Sequence, residues 1–486
     1  MRRISPVIAL SLLLGACTLG PDFERPKPPE MPPVWNSDTV AEPLRPDWWS
    51  AFGDAKLTSL EERVADANLD VRAATLRLAE SRAQRTVTAA GELPAINGNT
   101  VYQRIKPSEK GPLAALSHGA PVQSMDFYQY GFDATWELDL WGKVRRSVEA
   151  ADAQIDASAE AQRDALVSVL AEVARDYLQL RGIQAQLRIS KANLTTAREI
   201  LDLTRKRARD GLSSELDVAN AAAQAATTEA DIPQFEQRQA QTINQLSFLL
   251  GQPPGALADE LIEPEAVPPP PPRVPVGLPS ELAQRRPDIR QGEAMLHAAT
   301  AQIGVSKANF YPSVTLSASF AMQAMKFADL ANWDARSLTA GPLVSIPIFE
   351  GGRLTGTLAL TETRQQEAAL DYQRTVLSAW EDVADALVAY QAEQRRREQI
   401  AVAVTENRRA LKLARAQYAD GFATFLQVLT AQQQLLAAEQ KEADSITTVS
   451  SNLVALYKAL GGGWETTFPR EGEASSPSAV SASSPR

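Results

Sequence analysis

A chain of 486 residues, 44% of them apolar, is long enough for two or three cores, and a formal charge of −10 offers no basic face to a nucleic-acid backbone. Two histidines, His118 and His297, and a single cysteine cannot build a disulfide frame or a Cys/His zinc site within one chain. Polar residues follow alternating or helical faces and nowhere converge as nucleophile, base and orienting partner, so neither an enzyme nor a cofactor or metal is expected.

Met1-Arg2-Arg3 gives a positive start, residues 4–14 an apolar stretch too short to span a bilayer, and Gly15-Ala16 small residues ahead of Cys17. That order predicts a lipoprotein signal peptide over residues 1–16. Leu14-Gly15-Ala16-Cys17 resembles the lipobox of bacterial lipoproteins, in which the cysteine becomes the N-terminus and carries an S-diacylglycerol and an N-acyl chain. At roughly 0.8 kcal/mol per buried methylene, two or three acyl chains hold a protein on a membrane without a spanning helix. Thr18 replaces the aspartate that in such signals favours inner-membrane retention, which points to the outer membrane. Residues 17–50 then read as a lipidated tether, Pro-rich and extended over residues 21–33. A second Pro-rich linker is expected at residues 252–279, non-helical and with five consecutive prolines at 268–272, and a disordered tail at residues 465–486.

Between these segments lies an internal duplication, residues 51–251 and 280–464. Gly142 matches Gly352, Val173 matches Val383, Gly211 matches Gly421 and Leu250-Gly251 matches Leu460-Gly461, all at an offset of 210. Upstream, Asn68-Leu69-Asp70-Val71 aligns with Arg286-Pro287-Asp288-Ile289 at an offset of 218, so an eight-residue difference falls in one loop. Each copy carries two predicted strands. Residues 97–104 give the weakest. In residues 128–140, Tyr128, Tyr130, Phe132, Ala134, Trp136, Leu138 and Leu140 alternate with Gln129, Gly131, Asp133, Thr135, Glu137 and Asp139. Val314, Leu316, Ala318, Phe320 and Met322 repeat that alternation, and residues 338–349 do so less cleanly. Aromatic outward sets, with Trp141, Phe310, Tyr311 and Phe349 where strands meet helices, mark the girdle of a membrane β-barrel. Four strands cannot close one, and open edges are not tolerated in lipid, so the chain must oligomerise. Two copies would give eight strands and a filled interior; three would give twelve and room for solutes.

Residues 143–210 contain no proline and one glycine. Leu166, Val173, Leu180, Leu187, Leu194 and Leu201 recur every seven residues, the seam of a packed helical rod about 100 Å long. Val376, Val383, Tyr390, Val404 and Leu411 form the second copy, interrupted at Arg397. Helical patterning resumes after Gly211 and Gly421, each of which marks the far turn of a helical hairpin.

Together the lipobox cysteine, "GFDATWELDLWGKVRR", "GLSSELDVANA", "VPVGLPSELAQRRPDI", "ANFYPSVTL", "GPLVSIPIFEGG", "YADGFATFLQVLTAQQQLL" and "ALGGGW" resemble the outer-membrane factors of the TolC type, in the NodT lipoprotein branch. The resemblance runs from Cys17 to about Trp464. It implies an α+β membrane fold: a homotrimer with a twelve-stranded barrel in the outer membrane, four strands per chain, continued by a periplasmic barrel of coiled-coil hairpins. It also implies an exit channel for drugs or other small toxic compounds. Such a channel is fed by an inner-membrane transporter, commonly of the proton-driven resistance-nodulation-division class, through a periplasmic adaptor. The adaptor would meet the hairpin tips at Gly211, Leu212, Gly421 and Phe422. The resting gate would lie just inside the second tip, with Leu426 an apolar constriction and Tyr418 bonded to Asp217 of a neighbouring hairpin. At Gln427 and Thr430 the family often has aspartates forming a cation-selective ring, and neither is acidic here. Core packing for Leu426 and helix capping for Asp217, Gly211 and Gly421 are the structural alternatives. A protein-secretion duct of the type I class has the same architecture and stays open as a second function; a structural coiled-coil lipoprotein does not account for the strands.

Overall fold

The structure, a computed structural model, describes residues 18–27, 45–111, 123–271 and 282–469. Cys17 and most of the predicted tail therefore lie outside the described residues. In chain order the main elements are α1 (Ala55–Ala67), α2 (Leu69–Ala89), β1 (Ala95–Ile105), β2 (Met125–Leu138), α3 (Lys143–Arg209), α4 (Glu215–Leu249), α5 (Pro287–Ala308), β3 (Ser313–Ala324), β4 (Arg336–Ser345), α6 (Arg353–Ala419) and α7 (Phe425–Ala459). The duplication is visible in the lengths: α3 and α6 both have 67 residues, and α4 and α7 both have 35. The eight-residue difference lies between the strands, in residues 106–124 against residues 325–335.

The chain divides into two compact units that cut across the repeats, since each unit takes pieces of both. The first contains Leu78–Ser158 and Gly292–Tyr372 with the N-terminal stretch to Lys27. Its centre is an antiparallel sheet in the order β1-β2-β3-β4, which among the described residues leaves one edge of β1 and one edge of β4 without a partner strand. β1, the weakest strand by pattern, is a full eleven residues because its entire length pairs with β2. β2 stops at Leu138, two residues before the expected end, where Leu140 N–H turns back to the Leu138 carbonyl. β4 stops at Ser345, four residues early, because no strand among the described residues pairs with residues 346–349.

The second unit contains residues 45–77, 159–291 and 373–469. All six heptad leucines and valines of α3 are buried, as are Val376, Val383, Tyr390, Val404 and Leu411 of α6. One core gathers α1, α3, α4, α6, α7 and the returning linkers around Trp48, Leu60, Leu170, Tyr177, Leu246, Tyr457 and Trp464. Trp48 and Trp49 belong to that core within the short helix Trp48–Phe52, so the expected domain boundary at residue 50 divides an element. Both copies tie the entry of a short helix to the last turn of the returning one. Asn68 Nδ2 donates to the Leu249 carbonyl at 2.8 Å, and Arg286 Nη1 to that of Ala459 at 2.9 Å.

The Pro-rich linker is not wholly irregular. Its proline-free stretch forms a helical turn, Ala258–Leu261, because Leu257 and Leu261 are drawn into the core. Buried Arg181 fastens the segment that follows. It donates to the Glu263 carbonyl (2.9 Å), Glu265 (2.8 Å), Gln184 (2.8 Å) and the Tyr177 hydroxyl (3.1 Å), and its guanidinium lies over the Tyr177 ring. The expected tail also begins later than residue 465, since Phe468 packs on the core and its carbonyl accepts from Arg163.

Candidate functional site

The sheet has one greasy and one polar face, and its register fixes them. Phe132 stands opposite Gly98 and Phe320, and Phe320 opposite Leu338, so every even-numbered strand residue shares one face. The odd-numbered row Asn97–Asp133–Ser319–Thr339 lies on the other. There the Asp133 carboxylate accepts from Asn99 Nδ2 (2.7 Å) and Asn97 Nδ2 (3.4 Å), and Gln323 donates to Gln129. Aromatic groups bound the greasy face at both ends. Toward the helices, Trp141 stacks near Tyr311 at 4.9 Å and donates to the Pro312 carbonyl at 2.7 Å. At the opposite end, Tyr102 and Tyr128 lie 4.9 Å apart, Phe327 meets Tyr128 at 5.8 Å, and Trp333 approaches Phe320 at 6.4 Å. Phe327 and Trp333 come from the β3–β4 connection, which folds back over the strands and buries Met322. Met322 is therefore not part of the exposed apolar surface that the alternation suggested, a covering that no local pattern announces. Between the girdles, Val314 to Met322 rises about 20 Å at about 3.4 Å per residue and a tilt of roughly 40°, close to the ~25 Å apolar band of membrane barrels.

At the far end of the second unit, each helical hairpin turns on a left-handed glycine, Gly211 at φ 76° and Gly421 at φ 82°. The turns close alike: Leu212 N–H donates to the Arg207 carbonyl and Phe422 N–H to that of Gln417, both at 2.8 Å. Leu212 and Phe422 project outward, Phe422 with 87% of its surface exposed. Behind them Ile200, Leu201, Leu411, Tyr418, Phe425 and Val428 form a small core of their own. Leu426, on the first turn of α7, is 67% exposed and does not join that core. Gln427 closes a capping box with Thr424, and Thr430 is exposed beside it.

The same order of elements recurs in known proteins. A profile of the outer membrane efflux protein family matches residues 61–252 and 278–462. The chain belongs to that family. Outer membrane protein OprJ of Pseudomonas aeruginosa is 32% identical over 94% of this chain and 95% of its own length. Nodulation protein T of Rhizobium leguminosarum is 32% identical over 95% of this chain and 94% of its own. The solved outer-membrane channel OprN superposes with a TM-score of 0.85 at 31% identity, covering 92% of this chain and all of that one.

This outer membrane efflux protein thus has the fold of the TolC-type channels, in which three chains close a twelve-stranded barrel in the outer membrane and helical hairpins continue it as a tunnel. Family membership makes the greasy face the lipid side and the polar face the lumen. No described helix is long and apolar enough to cross a membrane. Tyr418 lies near the end of α6 and Asp217 on the first turn of α4. Tyr418 does not reach Asp217 within this chain; its hydroxyl meets Ser213 Oγ at 3.1 Å, and Ser213 donates to Asp217 Oδ2 at 2.9 Å. The serine intervenes because Asp217 is turned into a capping box with Ser214. Burial pushes the Asp217 carboxyl upward, but hydrogen bonds from Ser214 and Ser213 outweigh it and hold the group below its ordinary range.

Two features at functional positions escaped the sequence reading. Arg207 lies over the Tyr418 ring at 4.7 Å and donates to the Ala419 carbonyl, joining the two hairpin tips. The start of the tether is not a free strand but a docked strap. Leu19 N–H donates to the Trp141 carbonyl, Arg146 holds both the Leu19 carbonyl and Asp22, Phe23 stacks on His297 at 4.4 Å, and Arg25 pairs with Glu293. Gly20 and Gly304 permit the crossing, because a Cβ on either would enter the other segment's backbone. Proline content signals an extended chain but not the surface on which it lies.

Proposed function

We propose that the chain is the exit duct of a tripartite efflux system, passively passing drugs or other small toxic compounds from an inner-membrane transporter and a periplasmic adaptor to the outside. The observation that carries this is the sheet with one greasy face, one polar face and two unpaired edges, joined in the same chain to unbroken 67-residue helices. Relatives named for a solvent efflux pump, SrpC of Pseudomonas putida, and for pyoverdine export, OpmQ of the same species, favour small cargo over the type I protein-secretion alternative. The transporter is of the proton-driven resistance-nodulation-division class. Cys17 carries the S-diacylglycerol and N-acyl lipid. The strap supports this anchor, since it sets Thr18 against Gly142 and beside the Trp141 girdle, one residue from the acylated position.

Gly211, Leu212, Gly421 and Phe422 form the adaptor-docking tips, and Leu426 seals the resting tunnel with Gln427 and Thr430 lining its mouth. Exposure of Leu426 supports a role outside the chain's own core. The test is deletion and complementation in the native bacterium. Loss of the chain should raise intracellular accumulation of a dye cargo, and wild type should restore efflux. Normal efflux without the chain, together with loss of a secreted protein, would favour the secretion reading. Cys17→Ser should abolish labelling by palmitate; labelling that survives would remove the anchor.

A further inference from the structure

From the internal repeat we infer the register in which one copy joins the next: β4 pairs antiparallel with β1 of the next copy, with Leu343 opposite the next copy's Val101 and Ile348 opposite its Ile96. The inference rests on the trimeric channel and specifies the contact that closes it.

The repeat relates β1 to β3 by 218 residues and β2 to β4 by 210. It already reproduces one register. Ala95 pairs with Thr135 and Val101 with Gln129 in β1–β2, and the two offsets carry these onto Ser313–Ser345 and Ser319–Thr339, both observed in β3–β4. Applied to the β2–β3 pairs Asp133–Ser319, Ala134–Ala318 and Leu138–Val314, the same offsets give Leu343–Val101, Val344–Thr100 and Ile348–Ile96. Since β3 here stands for β1, each new pair must join two copies.

Two independent features fit this register. Even residues meet even ones, so the greasy face stays continuous around the barrel. Val101, flanked on its face by Asn99 and Gln103, and Leu343, flanked by Gly341 and Ser345, are bulky apolar groups that fall opposite each other; a shift of two residues would set Leu343 against Asn99 or Gln103. On the greasy face the exposed apolar groups of the two edges, Ile96 at 69%, Val344 at 55%, Ile346 at 58% and Ile348 at 89%, come to lie side by side and continue the lipid-facing band across the joint. β2 reaches Leu138, whose counterpart is Ile348, so β4 should extend through residues 346–348 on assembly. Pro347 forgoes at most one ladder hydrogen bond there.

The test is disulfide trapping in the full chain. Directly opposite residues bring Cα atoms to about 4.5–5.5 Å, within disulfide reach, whereas diagonal neighbours lie about 7–8 Å apart. Val101→Cys with Leu343→Cys should give a covalent trimer on oxidation, reversed by dithiothreitol and at least tenfold more abundant than with the shifted pair Val101→Cys and Ser345→Cys. Asp133→Cys with Ser319→Cys, the equivalent pair inside one chain, should cross-link without joining copies and shows that the geometry permits the bond. Intact trimers on native gels that trap the shifted pair, or neither pair, would overturn the register. Absence of trimers in the unmodified protein would instead remove the trimeric reading beneath it.

Discussion

Ala318 and Ser319 are successive residues of β3 that point to opposite faces, which makes them a sharp test of which face meets lipid. Ala318 lies midway between Val314 and Met322 in the row Ile96–Ala134–Ala318–Ala340, while Ser319 shares the polar row with Asp133. Arginine at the bilayer midplane costs about 2–4 kcal/mol per site in a barrel, and three chains multiply this to about 6–12 kcal/mol per trimer. Ser319→Arg places the same side chain beside the Asp133 carboxylate in water, where the penalty falls to about 0–1 kcal/mol per chain, as for surface changes generally. Both variants add the same volume to the same strand, so their difference isolates the facing. Urea titration of barrels folded into vesicles, read by the gel shift between folded and unfolded forms, measures it. Ala318→Arg should lower the midpoint sharply and Ser319→Arg barely; equal damage, or greater damage at Ser319, would refute the assignment of faces.

Glu61 is buried with no hydrogen-bond partner among the described residues for either carboxyl oxygen, and desolvation raises its pKa well above the usual range. The folded state therefore holds a proton that the unfolded chain releases above about pH 4.3, and its stability falls as pH rises from there through the folded pKa. Glu61→Gln should remove that decline, so the variant should gain on wild type in thermal melts between pH 5 and pH 8, and parallel pH profiles would contradict the sign. Leu426→Ala with Tyr418→Phe should raise resting conductance and sensitise cells to vancomycin, and wild-type behaviour from correctly assembled trimers would place the seal elsewhere. Gly421→Glu strains a backbone at φ 82° and alters the docking tip, so export should fail while trimers persist; full resistance at normal protein levels would remove the tip from the docking surface.

What was legible in the sequence was whatever repeats with a short period. The alternation around Phe132 and the seven-residue ladder from Leu166 to Leu201 each reflect one face packing against one neighbour. The observed register and burial follow them closely. Strand ends were less legible, because β1 and β4 are set by partners and not by their own residues. Features held by distant single contacts left no local trace: Arg181 gripping the linker through Glu263 and Glu265, Met322 covered by the β3–β4 connection, and Phe23 stacked on His297. At the tips Gly211 and Gly421 announced the turns, but not the contacts around them. Ser213 interposes itself between Tyr418 and Asp217, a detail of capping geometry that resemblance does not transmit.

Single-channel recording in planar bilayers decides whether this chain forms a channel through the outer membrane. Purified trimers of the Leu426→Ala, Tyr418→Phe variant should insert and give large, discrete, ohmic steps, with wild-type trimers giving smaller ones. Bilayers that carry verified inserted trimers of the variant and conduct no better than bare lipid would show that the trimer is not a channel.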